Sequence, residues 1–149
     1  MKAIYFDMDG TIANLYAVEG WLADLRDYNP RPYAKAEVML NMQVLARLLN
    51  ALRANGWTIG IISWLSKEPT PAFDAEVIKV KREWLHKHLA SVHFDEIHII
   101  PHGTPKSSVA KYPQGLLFDD EPANRAEWGA GAHDVGNIIE VLKEILANE

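Results

Sequence analysis

The 149-residue chain has no cysteine, no excess of basic residues and no long apolar run. Without cysteine it forms no disulfides, thiolate zinc sites or thiol nucleophiles. Lys and Arg number 15 against 20 Asp and Glu, a net charge of −5, and the scattered basic residues do not indicate broad nucleic-acid binding. No stretch approaches the ~20 apolar residues of a membrane helix. The N-terminus lacks the regions of a signal peptide, so we expect a cytoplasmic protein.

Short apolar runs alternate with helical patterns along the chain. This alternation predicts one α/β domain over residues 1–149, with a parallel five-stranded sheet and crossover helices. The strands are predicted at residues 2–6, 57–62, 97–100, 115–118 and about 132–135. The helices are predicted at residues 37–54, at 74–89 after Pro69 and Pro71, and at 138–146 with Asn137 as N-cap.

Residues 14–36 fit this alternation poorly, because they contain several aromatic residues and two prolines. We interpret them as a small cap or lid insertion over the end of the sheet, beginning with a short helix. A surface helix that only packs is the alternative.

Polar side chains follow four of the predicted strands. They are Asp7 and Asp9 after the first strand, Ser63 after the second, Lys106 after the third, and Asp119 and Asp120 after the fourth. The ends of parallel strands lie along one edge of a sheet, so these distant residues are expected to converge at the usual ligand-binding edge of α/β folds.

This set of residues suits phosphoryl transfer. Asp7, Asp119 and the main-chain carbonyl of Asp9 are oxygen ligands of the kind that Mg²⁺ takes. Asp7 is a competent covalent nucleophile toward phosphorus, and Asp9 would protonate the leaving alkoxide and later deprotonate the hydrolytic water. Ser63 can donate its hydroxyl to a phosphoryl oxygen. Lys106 supplies a compact positive charge that holds phosphate and offsets the carboxylates.

The lysine has competitors in Lys79, Lys81 and Lys111. Lys79 and Lys81 fall on a predicted helix whose polar face would carry such residues anyway. We prefer Lys106 because it begins the predicted helix after the third strand. Asp120 is interpreted either as an outer residue of the metal site or as the partner of Lys106.

At these motifs the chain resembles the haloacid dehalogenase superfamily of phosphotransferases. Asp7-Met8-Asp9-Gly10-Thr11 is similar to the first motif of that superfamily, Ser63 to the second, Lys106 to the third and Asp119-Asp120 to the fourth. The resemblance spans residue 2 to about residue 125. It implies a Rossmann-like three-layer sandwich with a small or minimal helical cap, Mg²⁺ dependence and an aspartyl-phosphate intermediate.

A finer resemblance concerns the substrate. The run Lys81-Arg82-Glu83-Trp84-Leu85, together with Pro105-Lys106 and Asp119-Asp120, is similar to small bacterial and phage proteins related to 5′(3′)-deoxyribonucleotidases. We therefore predict a Mg²⁺-dependent phosphomonoester hydrolase acting on a nucleotide or another small phosphate ester. A polynucleotide 3′-phosphatase and a non-catalytic phosphate- or Mg²⁺-binding module are the alternatives. Further candidate substrate contacts are Gly10, Thr11, Trp64 and Asp120.

Overall fold

The computed structural model describes residues 2–68 and 70–149. Pro69, which the sequence placed before the second long helix, lies outside these residues. Within the described part of the chain, no helix is both long enough and apolar enough to cross a membrane.

Seven strands and six α-helices make up the described structure, together with two short 3₁₀ turns. The strands are β1 (Ala3–Phe6), β2 (Ala13–Asn14), β3 (Glu37–Val38), β4 (Thr58–Trp64), β5 (Glu96–Ile100), β6 (Leu116–Phe118) and β7 (Ala132–His133). The helices are α1 (Trp21–Arg26), α2 (Arg31–Lys35), α3 (Met42–Ala54), α4 (Pro71–His88), α5 (Pro122–Trp128) and α6 (Ile138–Ala147). The 3₁₀ turns cover Leu15–Ala17 and Lys106–Ser108.

Five of the strands form one parallel sheet in the order β5-β4-β1-β6-β7. The predicted α/β architecture with a five-stranded parallel sheet is confirmed. From β1 the chain moves outward through β4 to β5, and then returns to the other side of β1 for β6 and β7. The strand order therefore reverses beside β1, which is where open α/β sheets form their ligand crevice.

Strand β1 is buried on both faces, which explains why its sequence is apolar without alternation. On one face, Ile4 and Phe6 pack in a core cluster that includes Leu49 of α3 and Leu142 of α6. On the other face, Tyr5 packs with Trp128 of α5. The two helical layers thus hold the end of β1 rigidly in the middle of the sheet.

The first long helix begins later than predicted. Its first residue is Met42 rather than residue 37, because the Asn41 side chain accepts a hydrogen bond from the Val44 amide (3.1 Å) and so caps the helix at that point. Glu37–Val38 pair instead with Ala13–Asn14 as a two-stranded antiparallel ribbon.

Smaller differences affect three residues at element ends. Strand β4 runs on to Trp64, so Ser63 lies within the strand rather than after it. Lys106 begins a three-residue 3₁₀ turn, not the predicted helix. Asn137 occupies the N-cap position of α6 as predicted, but its side chain makes no capping hydrogen bond.

Candidate active site

Lys106 joins two carboxylates at the end of β1 and just after β6. Its Nζ donates to Asp7 Oδ1 (2.9 Å) and to Asp119 Oδ2 (2.8 Å). Lys106 and Asp119 are buried at 1% and 0% exposure, so this ion-paired group is almost fully removed from water. The structure therefore brings together three residues that are far apart in the sequence, as the strand-end argument predicted.

A third carboxylate adds to this cluster. Asp120 offers an oxygen that lies within 4.8 Å of ligand atoms of both Asp7 and Asp119. Burial and the hydrogen bond and charge of Asp7 raise the pKa of Asp120 to about 7. Burial and Asp7 also raise the pKa of Asp119. Burial opposes the charge of Lys106, yet Asp7 and Asp119 raise its pKa above the usual value.

Three carboxylates thus lie together with one ammonium group, which leaves an excess of negative charge among oxygen donors. Such a set of oxygen donors fits a hard divalent cation better than any other ligand class. Asp7, Asp119 and Asp120 form the candidate metal cluster. The Asp9 carbonyl as a further ligand stays a prediction.

The turn after β1 holds these carboxylates in place. Gly10 has a left-handed backbone (φ 81°), and a Cβ on it would collide with the Asp120 carboxylate. Thr11 is 1% exposed, and its hydroxyl lies 3.0 Å from Asp7 Oδ2 and 3.3 Å from Asp120 Oδ1. Gly10 and Thr11 therefore contact the acidic cluster without lining the cavity described below, and their contact with substrate stays a prediction.

Asp120 does not pair with Lys106 in the described structure. The carboxylates bound to Lys106 are those of Asp7 and Asp119, so that one of the two interpretations of Asp120 is wrong. The pairing follows from depth: Asp119 points into the interior beside Lys106, whereas Asp120 faces Gly10 and Thr11 across the turn.

Helix α5 and its N-cap residue, Glu121, supply further contacts of Asp119. Asn124 Nδ2 donates to Asp119 Oδ2 (3.2 Å), and the Glu121 amide donates to Asp119 Oδ1 (2.9 Å). Arg125 Nη1 donates to the Asp119 carbonyl (3.0 Å). Asn124 is buried beside the site and was not among the sequence-based candidates; its spacing, five residues after Asp119 on the following helix, was the available signal.

A second buried lysine, Lys81, was missed as a site residue by the sequence analysis, which placed it on the polar face of a helix. Lys81 does not lie on the polar face of α4: it is 1% exposed, and its Nζ donates to Asp9 Oδ2 (2.9 Å). It also donates to Ser63 Oγ (2.7 Å) and to the Trp64 carbonyl (2.8 Å). Lys79, two residues earlier, is exposed as expected.

Ser63 lies deeper than its predicted role required. It is 0% exposed and is not part of the lining of the cavity described below. Its hydroxyl oxygen accepts the hydrogen bond from Lys81. A direct contact from Ser63 to a phosphoryl oxygen stays a prediction, and in this structure Lys81 is its partner.

The acidic cluster forms the floor of a cavity of about 720 Å³. Asp7, Asp9, Lys106, Asp119 and Asp120 contribute the polar floor. Much of the remaining wall is aromatic or aliphatic, and it comes from Leu15, Tyr16, Trp21, Leu22, Leu25, Tyr33, Trp64, Leu65 and His102. A charged floor beneath apolar walls suits a ligand with a phosphate at one end and an apolar group at the other.

Residues 14–36 supply much of this wall. The segment contains β2, a 3₁₀ turn, α1 and α2. Leu15 and Tyr33 are anchored in a small apolar cluster with Phe73 and Val77 of α4. Tyr16 remains 54% exposed and packs edge-on against Trp21, with ring centroids 5.1 Å apart.

Trp64 and His102 form another part of the wall. Trp64 is fixed because its indole Nε1 donates to the Thr104 carbonyl (2.9 Å), and the His102 ring lies 4.6 Å from it. Burial, and the nearby charge of Lys67, lower the pKa of His102 and so favour its neutral ring. The sequence had assigned Trp64 to a wall of the site, and the structure places it there.

No protein-family model matches this chain, and no curated protein sequence is detectably similar to it. Solved structures are similar to it in fold over their full length. A D,D-heptose 1,7-bisphosphate phosphatase from B. bronchiseptica, complexed with magnesium and phosphate, superimposes with a TM-score of 0.66 at 16% identity, covering 100% of both chains. A D,D-heptose 1,7-bisphosphate phosphatase from Burkholderia thailandensis gives a TM-score of 0.60 at 12% identity, covering 99% of both chains. The chain therefore has the haloacid dehalogenase-like fold that its strand-end motifs predicted.

Proposed function

We propose that this protein is a Mg²⁺-dependent phosphomonoester hydrolase that uses Asp7 as its nucleophile. One observation carries the proposal: Asp7, Asp119 and Asp120 converge within 4.8 Å at the floor of the cavity. Lys106 balances one of their negative charges. A fold shared with a phosphatase that binds magnesium and phosphate supports the same conclusion.

Asp7, Asp119 and Asp120 would hold the metal ion. When bound, the ion neutralises charge on the phosphoryl oxygens and so permits a carboxylate to approach phosphorus. The Lys106 ammonium, fixed between two carboxylates, would contribute positive charge next to the transferring group. Trp64 and the residues of the cap would limit the access of water to this charge.

The reaction has two steps. In the first, an Asp7 oxygen forms a bond to phosphorus while the bond from phosphorus to the ester oxygen breaks, and the Asp9 carboxyl gives its proton to that departing oxygen. In the second, the oxygen of a water molecule forms a bond to phosphorus while the bond from phosphorus to the Asp7 oxygen breaks, and the water loses a proton to the Asp9 carboxylate. Asp7 and Asp9 return to their starting states, and one alcohol and one phosphate are released.

We propose a nucleotide as the preferred substrate, in the manner of a 5′-nucleotidase. The indole of Trp64 and the rings of Tyr16 and Trp21 line the same cavity as the acidic cluster. A planar base would stack on such rings, whereas a sugar phosphate gains less from them. The segment 14–36 would then act as the cap that selects the substrate.

A polynucleotide 3′-phosphatase remains the alternative substrate class. A bound strand needs basic residues that follow its backbone beyond the site. The cavity rim carries Arg26 and Lys67, but Glu68 and Glu121 offset them. This balance of charge favours a small substrate over a polynucleotide.

The test is phosphate release from a panel of substrates, in Mg²⁺ and in chelator. The panel contains ribo- and deoxyribonucleoside monophosphates, sugar phosphates including a heptose bisphosphate, and a 3′-phosphorylated oligonucleotide. We expect Mg²⁺-dependent release with preference for mononucleotides. Asp7→Asn should abolish it, and Asp27→Asn, an exposed aspartate outside the cavity lining, is the matched control.

Other outcomes would support a different substrate, a different nucleophile or a protein without catalytic activity. Preference for a sugar phosphate or for the oligonucleotide would replace the nucleotidase assignment but keep the phosphatase. Mg²⁺ binding without release from any of these esters would instead favour a non-catalytic binding module. Release that is unaffected by Asp7→Asn would remove Asp7 as the nucleophile.

A further inference from the structure

Lys81 is a fully satisfied buried cation that touches the candidate acid/base. A lysine ammonium has three protons to donate. The three protons of Lys81 meet three acceptors within hydrogen-bond distance: Asp9 Oδ2, Ser63 Oγ and the Trp64 carbonyl. The side chain is therefore held in one position.

These contacts join three separate parts of the fold. Asp9 belongs to the turn after β1, while Ser63 and Trp64 belong to the last residues of β4. The ring of Tyr33, from α2 of the cap, lies beside the same ammonium, with the Nζ 4.6 Å from the ring centroid. Lys81 thus fixes the Asp9 carboxylate relative to both the sheet and the cap.

The Asp9 side chain is held from one side and open on the other. It is 17% exposed and lines the cavity, whereas Lys81 is buried behind it. Lys81 occupies Oδ2, and Oδ1 makes no hydrogen bond to any of the described residues. One oxygen is consequently anchored, and the side chain that carries the other lines the cavity.

We propose that Lys81 is a positioning residue that holds Asp9 where its carboxyl can give a proton to the departing ester oxygen. The inference rests on the proposed phosphatase function. Lys81 transfers no proton itself; the proton passes from Asp9 to the ester oxygen while phosphorus moves to Asp7. Orientation of such a group within hydrogen-bond reach is a large part of its catalytic effect.

A purely structural role explains the lysine less well. Apolar residues of similar volume serve the stability of a fold as well as a buried ion pair does, or better. Phe73, Val77 and Trp84 occupy the same buried side of α4 without any charge. The lysine is the residue of this stripe that reaches the acid/base.

The experiment compares two esters in the variant Lys81→Met. 4-Nitrophenyl phosphate releases a phenolate that leaves without a proton, whereas the alkoxide of benzyl phosphate needs one. We expect kcat/KM to fall about 100-fold for benzyl phosphate and less than about 5-fold for 4-nitrophenyl phosphate. Both esters are compared with the same preparation of one variant. A partly unfolded preparation therefore lowers both kcat/KM values equally and leaves the ratio between them unchanged.

A double-mutant cycle supplies a second readout, with a nucleoside monophosphate as substrate. If Lys81 acts through Asp9, then Lys81→Met should change kcat/KM less than about 3-fold in an Asp9→Asn background. Lys79→Met, at an exposed position on the same helix, is the matched control. It should leave unchanged both the ratio of the kcat/KM values for the two esters and the kcat/KM for the nucleoside monophosphate. Lys81→Gln is the second variant if Lys81→Met fails to fold.

Several results would overturn the proposal. Equal losses for the two esters, or additive effects with Asp9→Asn, would show that Lys81 does not act through the acid/base. Unfolding of both Lys81 variants would make the lysine a residue of the fold alone. A wild-type protein that hydrolyses none of these esters would contradict the phosphatase function itself, which is a separate failure.

Discussion

Two buried lysines each contact aspartates of this site, and their surroundings differ. Lys106 lies between two carboxylates, Asp7 and Asp119, that are themselves almost fully buried. Lys81 faces one partly exposed carboxylate, Asp9, and its other two acceptors are neutral oxygens. Both ammonium groups are 1% exposed, so the difference lies in what they contact rather than in how deeply they lie.

This difference separates two tasks within one site. The Lys106 cluster, with Asp120 beside it, keeps an excess of negative charge and so favours a divalent cation. The Lys81 cluster is neutral in sum when Asp9 is ionised, and Lys81 is satisfied in its hydrogen bonds, so this cluster favours fixed geometry over ion binding. The first cluster would therefore carry the covalent and metal chemistry, and the second the placement of the proton donor.

The largest expected effect is the loss of turnover when either of the two aspartates that these lysines contact, Asp7 or Asp9, is replaced. Asp7→Asn removes the nucleophile and should lower turnover below about 10⁻³ of the wild-type rate while the protein stays folded. Asp9→Asn should slow both formation and breakdown of the aspartyl phosphate, by about 10²- to 10⁴-fold. Single-turnover phosphate release, with acid-quenched labelled protein, measures both steps.

The labelled intermediate provides the check on this assignment. It should form on Asp9→Asn, slowly, and should not form on Asp7→Asn. A phosphorylated Asp7→Asn protein would show that another residue is the nucleophile, and the division between the two clusters would then fail.

The next effect concerns stability without metal. Lys106→Met leaves two buried carboxylates without their partner, and we expect a loss of about 3–5 kcal/mol in the free energy of unfolding. Lys81→Met should cost less, about 1–3 kcal/mol, because water still reaches Asp9 and the other orphaned groups are neutral. Urea denaturation in chelator measures both, and Lys79→Met should stay within about 0.5 kcal/mol of the wild type. The reverse order would mean that Asp7 and Asp119 are stable without Lys106.

Binding of Mg²⁺ should raise the free energy of unfolding by an intermediate amount, and this gain should depend on the Lys106 cluster but not on Lys81. At about 100 times its dissociation constant, a ligand of the folded state alone adds about 2.7 kcal/mol to the free energy of unfolding. We expect this gain in the wild type and in Lys81→Met, and its loss in Asp119→Asn. Thermal melts with and without Mg²⁺ measure it. An equal gain in Asp119→Asn would place the metal elsewhere.

The sequence allowed one of the two lysine clusters to be predicted. Lys106 follows a strand end close to two other acidic strand ends, so parallel topology alone brings it to Asp7 and Asp119. The same reasoning gave the sheet, because the four main runs of apolar residues are long enough to identify as strands. Two-residue strands such as Glu37–Val38 carry too little pattern, and the helix that begins at Met42 was therefore placed too early.

Lys81 could not be recognised by its charge, because α4 carries other lysines that face water. The available signal was its spacing, four residues after Val77 and three before Trp84, which places it on the apolar stripe of the helix. The sequence did not predict how α4 is rotated about its own axis where it packs against β4. That rotation, and not the residue type, decides that Lys81 meets Ser63 and Asp9 while Lys79 meets solvent.

The smallest effect tests whether the cap contributes to the Lys81 cluster. Tyr33 is 5% exposed, and its ring lies 4.6 Å from the ammonium, so Tyr33→Leu should remove a cation–π contact of about 0.5–2 kcal/mol while Tyr33→Phe should keep it. The Leu variant also changes the packing against Val77. The contact is therefore measured as the part of the loss that disappears in a Lys81→Met background. A loss that is the same in both backgrounds would assign it to packing alone. A loss confined to the wild-type lysine would join the cap to the placement of Asp9, and would leave the Lys106 cluster independent of the cap.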